Sequence, residues 1–335
     1  MSWAEGREGA HEVVSETDRH GRPLRTVLDT DTGLVRNDPI PNDAELARFY
    51  SEDYRTSYKG AATPRKRQIL RNFRRVAEHV RTFRDVLGQA DQVLDVGAGS
   101  GEFAFLMGQL GKTVTGIEPN AGYAEYCRNA LGLDVRTAHL DRALFEEGQF
   151  DLIRLNHVLE HLNDPVRYLA MMRDWLKPDG VLYVEVPNIE TYAREKSRGN
   201  MFHYGHIFNF NPWTLRTAAG LAGLEECAET AERSRDTTGV FFRWGPVLPV
   251  AQATNRENAA HVRDMVAGHY AGAFRKGKAT KPITKLAARI EETMTGLAAG
   301  TPEAIGLRVA RTLQEPGHDT PGATRGTGPS GEGHR

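Results

Sequence analysis

VLDVGAGSGEF, Val93–Phe103, joins a short apolar run to glycines at alternate positions, Gly97, Gly99 and Gly101. A run of this length bounded by turn residues reads as a buried strand, and the glycines as its turn into a helix. Without Cβ atoms the backbone can turn sharply and let a ligand lie against it. The spacing is G-x-G-x-G. A dinucleotide loop is G-x-G-x-x-G, and its third glycine would fall where Glu102 stands. A carboxylate there would repel a pyrophosphate, and the Lys-Ser/Thr of a P-loop is missing. The loop alone narrows the ligand without naming it.

Working outward, QVLDVG, TVTGIE, LDVRTA, FDLIRLN and VLYVEVP are short apolar runs with helix-length segments between some of them. Helices are expected to begin near Gly101, Asn120 and Asp164. Two-sided apolar strands alternating with helices predict a parallel sheet covered on both faces. GLEECAET and GVFFRWG add two strands close enough to form an antiparallel ribbon, giving about seven strands by this count. The second strand ends in Glu118, where an acid can accept hydrogen bonds from both ribose hydroxyls of a nucleoside.

Four pieces, VLDVGAGSGEF, VTGIEPN, FDLIRLNHVLEHLNDP and LKPDGVLYVEVPN, occur in the order and spacing of a known family. The chain resembles the class I S-adenosylmethionine-dependent methyltransferases over about residues 40 to 245. The resemblance implies an α/β, Rossmann-like doubly wound seven-stranded sheet, mostly parallel with an antiparallel last strand. It implies S-adenosyl-L-methionine as cofactor, held by Gly97, Gly99 and Gly101 with Asp95 and Ala98 in the same turn. Glu118 then takes the ribose beside Pro119, and Asn156 and His157 lie at the methionine end. An acid often meets the adenine after the third strand in that family. Here TAHLDRALF offers His139 or Asp141, with Leu140 between them.

HVLEH, His157–His161, has three readings. As H-x-x-E-H it would be an inverted zinc-protease signature, which needs both histidines one turn apart on a helix. As a divalent-metal site of His157, Glu160 and His161, it would put an imidazole where a hard cation prefers oxygen. As a structural element, Glu160 and His161 fix the loop while His157 lines the cofactor pocket. We take the third reading and expect no metal.

Beyond the fifth strand lies NMFHYGHIFNFNPWTL, with a helix expected from Pro212. Ligands bind at the carboxyl ends of parallel strands, so this loop should face the cofactor mouth. Methyl transfer from a sulfonium needs the acceptor positioned and its proton removed, work suited to a histidine. The segment looks like the corresponding loop of nucleotide-sugar methyltransferases, which makes His206 the candidate base and His203 the fallback. The glutamate that precedes the histidine in those enzymes is Gly205 here, and their cysteine-rich zinc module is missing, so O-methylation is favoured over C-methylation.

FYSEDYRTSYKG sets Tyr50, Tyr54 and Tyr58 four residues apart. An aromatic face attracts a sulfonium, and Tyr54 or Tyr58 is expected to close over the cofactor. Upstream, Asn42 can cap a helix, and Ile69, Phe73, Val76, Val80, Phe83 and Leu87 form one apolar face of the next. The basic residues of that second helix, Arg71, Arg74 and Arg75 among them, read as a solvated face.

The 43 basic and 44 acidic residues leave a net charge of −1, against the basic excess of a nucleic-acid binder. Cys127 and Cys227 build neither a disulfide framework nor a zinc site, which suits a cytoplasmic location. No apolar run reaches membrane-spanning length. The expected division is a polar segment at 1–40, a helical lid at 41–88, the core at 89–248, a helical extension at 249–315 and a disordered tail at 316–335. The whole reads as a methyltransferase acting on a small molecule (a sugar, glycolipid or other secondary metabolite), with no nucleic-acid partner. The carboxyl-terminal helices could pair two copies, and a non-catalytic binding protein or a metal-assisted phenol methyltransferase are the alternatives.

Overall fold

The computed structural model describes residues 3–49, 64, 66–191, 201–227, 237–271 and 300–314. It opens with three antiparallel strands, β1 (His11–Thr17), β2 (Pro23–Asp29) and β3 (Val35–Asn37). Where the sequence leads one to expect a polar segment, Arg25–Val35 supplies most of β2 and the start of β3. The rest was hidden because the sheet buries polar side chains, among them Thr26, Asp29, Arg36 and Asn37. Three of them bond to loops: Asp29 accepts from the Thr32 hydroxyl at 2.8 Å, Arg36 donates to the Glu5 carbonyl at 2.7 Å, and Asn37 donates to the Tyr204 carbonyl at 3.0 Å. A hydropathy pattern cannot register a core built this way.

Asn42 caps α1 (Asp43–Arg48) through a capping box with Glu45. The expected apolar face runs along α2 (Lys66–Thr82) into α3 (Arg84–Gly88), and all six of its residues are buried. The core follows as β4 (Gln92–Val96), α4 (Glu102–Gln109), β5 (Thr113–Ile117), α5 (Ala121–Leu131), β6 (Asp134–Arg136), β7 (Phe150–Asn156), α6 (Pro165–Trp175) and β8 (Leu176–Pro187). Gly101, Asn120 and Asp164 are the caps of α4, α5 and α6, as their letters suggested. The short β9 (Phe208–Asn209) leaves the core to pair with β3. The chain then returns through α7 (Pro212–Leu221), capped by Asn211, to β10 (Leu224–Glu226) and β11 (Thr237–Trp244).

The main sheet has the order β10-β11-β8-β7-β4-β5-β6, with β11 antiparallel to its neighbours and the other pairs parallel. Leu94, Ile153 and Leu182 face α6 and α7, while Val93, Leu152 and Tyr183 face α2 and α4. Register brings Val96 beside Ile117 and Leu155, and Asn156 beside Glu185. The ends of β4, β5, β7 and β8 therefore form one edge, and the site is built there.

Of the expected carboxyl-terminal helices, α8 (Arg256–Tyr270) buries Val262 and Val266 against Leu28 and Val35 of the small sheet. The second, α9 (Pro302–Gln314), buries Ile305, Val309 and Leu313 against α2 and α4. Among the described residues no helix is long and apolar enough to cross a membrane.

Asp95 sits beneath the glycine turn at 0% exposure, with Oδ1 accepting from Arg154 of β7 at 2.7 Å. Burial pushes its pKa up, and the Arg154 charge and hydrogen bond pull it back. The guanidinium lies over the Phe103 ring at 4.4 Å. Arg154→Met leaves a buried carboxylate unpaired and should cost about 3–5 kcal/mol in urea unfolding, whereas Asp95→Asn with Arg154→Met together should recover most of it.

Candidate active site

The glycine turn is tied down from below. The N–H groups of Gly97 and Ala98 both donate to the Ile117 carbonyl, at 2.8 and 2.9 Å. Gly97 has φ +69°, and a Cβ there would lie 2.5 Å from Val158 Cγ2, so the turn after β7 packs directly on the loop. Gly99, at φ +56°, differs: among the described residues a Cβ on it would meet only the Gly97 carbonyl, at 3.9 Å. That open side is the space a cradle for a cofactor needs. Glu118 turns inward to it, Oε2 accepting from Gly99 N–H at 2.8 Å and Oε1 from Asn120 N–H at 2.9 Å. A carboxylate is an acceptor-only group, the chemistry that ribose hydroxyls call for. Glu102 is withdrawn from the loop mouth, buried and accepting from Ser100 and Asn72 at 2.7 and 3.1 Å.

The other residues expected at the cofactor distribute along the same edge. Pro119 is exposed between Glu118 and Asn120, and Asn156 is half-buried at the end of β7. After β6, Asp141 spends its carboxylate on the Ala143 N–H at 2.8 Å, capping a short turn. His139 is exposed, and Leu140 packs partly on the core. Tyr50, Tyr54 and Tyr58 lie outside the described residues.

HVLEH is not helical: Leu159–His161 is one 3-10 turn, and His157 precedes it at φ +57°. This breaks the helix that the protease signature requires. His157 donates its backbone N–H to the Glu185 carbonyl at 2.8 Å. Its ring stands between two acids, Nδ1 3.4 Å from Glu160 and Nε2 3.8 Å from Glu185. Burial opposes the charged ring, but Glu160 and Glu185 outweigh it and raise the His157 pKa. Glu185 was missed in the sequence. Its signal was a lone carboxylate inside the apolar run VLYVEVP. Glu185 also accepts from the Tyr183 hydroxyl at 2.6 Å.

His203 and His206 meet this cluster from the loop before β9, their rings 3.8 Å apart and the His206 ring 4.9 Å from that of His161. His161 Nδ1 bonds the Gly205 carbonyl, tying the two loops together. The small sheet holds the loop from the other side: Asn37 donates its backbone N–H to Ile207 at 2.9 Å and its side-chain amide to Tyr204 at 3.0 Å. Burial, then the charges of His161, His203 and His157, push the His206 pKa well below the ordinary value. A small recess lined by Pro187, Ile189, Met201, His206, Phe208 and Asn209 opens beside it. Glu160, His161 and His206 each bring one ligand-type atom to within 4.8 Å of one another.

A methyltransferase-domain family model matches residues 65–228. A ubiquinone biosynthesis O-methyltransferase of Actinobacillus pleuropneumoniae is 34% identical over 107 residues, 29% of this chain and 46% of that protein. One from Chelativorans is 28% identical over 193 residues, 52% of this chain and 70% of that protein. The chain spans about half the length of the curated relatives it matches. A solved structure of the Burkholderia thailandensis 1,6-didemethyltoxoflavin-N1-methyltransferase, with 1,6-didemethyltoxoflavin and S-adenosylhomocysteine bound, is 20% identical, with a TM-score of 0.45 over 64% of this chain and 97% of that one. All four motifs met first in the sequence lie within this matched stretch, so residues 65–228 are similar to a methyltransferase domain, the likeness that the motifs carry.

Proposed function

We propose that this protein transfers a methyl group from S-adenosyl-L-methionine to a hydroxyl of a small-molecule acceptor, a sugar, glycolipid or other secondary metabolite, with His206 as general base. The observation that carries the reading is the convergence at one sheet edge. An open-sided cradle at Gly99, closed by Glu118, lies one strand away from a cluster of imidazoles.

When bound, the cofactor supplies a methyl carbon on a positively charged sulfur, whose bond breaks with its electrons kept by sulfur. The chain's own part is to hold and to orient. Gly97, Ala98, Gly99 and Gly101 give the backbone surface, Glu118 the ribose acceptor pair, and Asn156 and His157 the methionine end. The adenine then lies toward His139 and Leu140, with Asp95 beneath the turn and Tyr54 or Tyr58 as the closing ring. The acceptor presents its hydroxyl to His206, which takes the proton from the oxygen as it becomes methylated. His203 stacks on that ring and is the second choice for the same task. Positioning of the two reactants supplies most of the rate.

The reading includes a cytoplasmic location and no nucleic-acid partner. A homodimer would draw on parts of the carboxyl-terminal extension other than the apolar faces of α8 and α9, which are spent within the chain. The test is transfer of label from methyl-labelled S-adenosyl-L-methionine to nucleotide sugars, glycolipids, catechols and simple phenols. Incorporation into one class is expected. Cofactor binding with no transfer to any class would leave the non-catalytic alternative standing. Preference for a phenol would agree with the names of the curated relatives.

A further inference from the structure

Glu160 is 1% exposed, and neither of its carboxylate oxygens has a hydrogen-bond partner among the described residues. Its nearest polar neighbours are His157 Nδ1 at 3.4 Å and His161 Nε2 at 3.8 Å, both long for a hydrogen bond. A buried carboxylate left this way is costly unless a positive charge stands near it. A second acid, Glu185, lies on the far side of His157. Burial works against its charge, but the Tyr183 hydroxyl, then the charges of His157, His79 and Arg154, hold its pKa below the ordinary value. Arg154, already bonded to Asp95, and His79 lie on the Glu185 side of the imidazole, which leaves the charge of Glu160 as the one without a hydrogen-bonded partner among the described residues.

The position of that charge is fixed by packing. Val158, in the turn that carries Glu160, touches the glycine loop at Gly97, and Asn156 pairs in register with Glu185. The acid pair thus borders the end of the cradle where, on the reading above, the sulfur lies. The cofactor carries a positive charge at that sulfur and the demethylated product carries none.

We propose that Glu160, backed by Glu185, reads the charge on the cofactor's sulfur, favouring the cationic donor over the neutral product and so easing product release. This rests on the proposed function, because it uses the same cradle. His157 is the positioning residue between the two acids, held by its backbone bond to Glu185. The attraction is strong because the site is withdrawn from water, where unit charges interact several-fold more strongly than in bulk.

The experiment is calorimetry on the full chain with three probes. They are S-adenosyl-L-methionine, S-adenosylhomocysteine, and sinefungin, which carries an ammonium group in place of the methylsulfonium. Glu160→Gln should weaken both cationic probes about tenfold and leave S-adenosylhomocysteine within about twofold, as expected for losing one buried charge partner. Glu185→Gln should act in the same direction with a smaller effect. Equal loss on all three probes, or an unchanged ratio, overturns the proposal. So does a wild-type ratio that changes on chelation, which would assign the charge to a divalent cation at Glu160, His161 and His206. If Glu160→Gln does not fold, Glu185→Gln decides alone, and an unchanged ratio there overturns the proposal. Failure of wild-type protein to bind any probe would instead remove the proposed function.

Discussion

Glu118→Ala should weaken S-adenosyl-L-methionine binding by roughly 10- to 100-fold, the loss expected for one or two charge-assisted hydrogen bonds. The geometry explains why the effect should be large. The carboxylate holds the Gly99 N–H at 2.8 Å and, on the proposed reading, also accepts from the ribose. Alanine removes both and leaves the Gly99 N–H to find water. Glu118→Gln keeps one acceptor oxygen and should fall between the two. Because Asn120 still caps α5 through its own side chain, accepting from Tyr123 at 3.1 Å, the helix should persist and circular dichroism should be unchanged. Unchanged affinity in calorimetry would leave Glu118 as a brace for the loop and nothing more.

That site was half legible in the sequence, for physical reasons. Strands β4, β7 and β8 could be read because they are short apolar runs, and helices could be placed because Asn120 and Asp164 cap them with their side chains and Pro212 sits in a first helical turn. What stayed hidden depends on distant pairing. Asn37 reaches Tyr204 across 167 residues, and His161 reaches Gly205 across 44. Neither contact leaves a periodic trace. The histidine cluster shows the same divide: its letters were conspicuous, but that His157 lies between Glu160 and Glu185 follows only from the register of β7 and β8. The small sheet escaped because its buried positions include Asp29, Arg36 and Asn37, which read as surface residues until their partners are known.

His206→Ala should lower kcat by about 10²–10⁴, the usual range for losing a general base, while cofactor affinity stays within about twofold. The split follows from placement. His206 lines the small recess before β9 and meets His161 and His203, whereas Glu118 and Gly99 lie across the edge. Its depressed pKa bears on the pH profile. Burial and the neighbouring imidazoles favour the neutral ring, so the base loses its lone pair to a proton only when pH falls well below the ordinary value of 6.5. The acid limb of kcat should therefore lie below that of a solvent-exposed histidine, and activity should persist into mildly acid buffer. A weak base suffices because the departing sulfur is already activated, leaving little driving force to be supplied by proton transfer. His203→Ala separates the two rings: a modest loss fits packing support for His206, whereas a loss equal to that of His206→Ala, with the acid limb displaced, would transfer the base to His203. Full turnover in both single variants and in the double variant would take the proton away from this loop and put His157, the imidazole between Glu160 and Glu185, next in line.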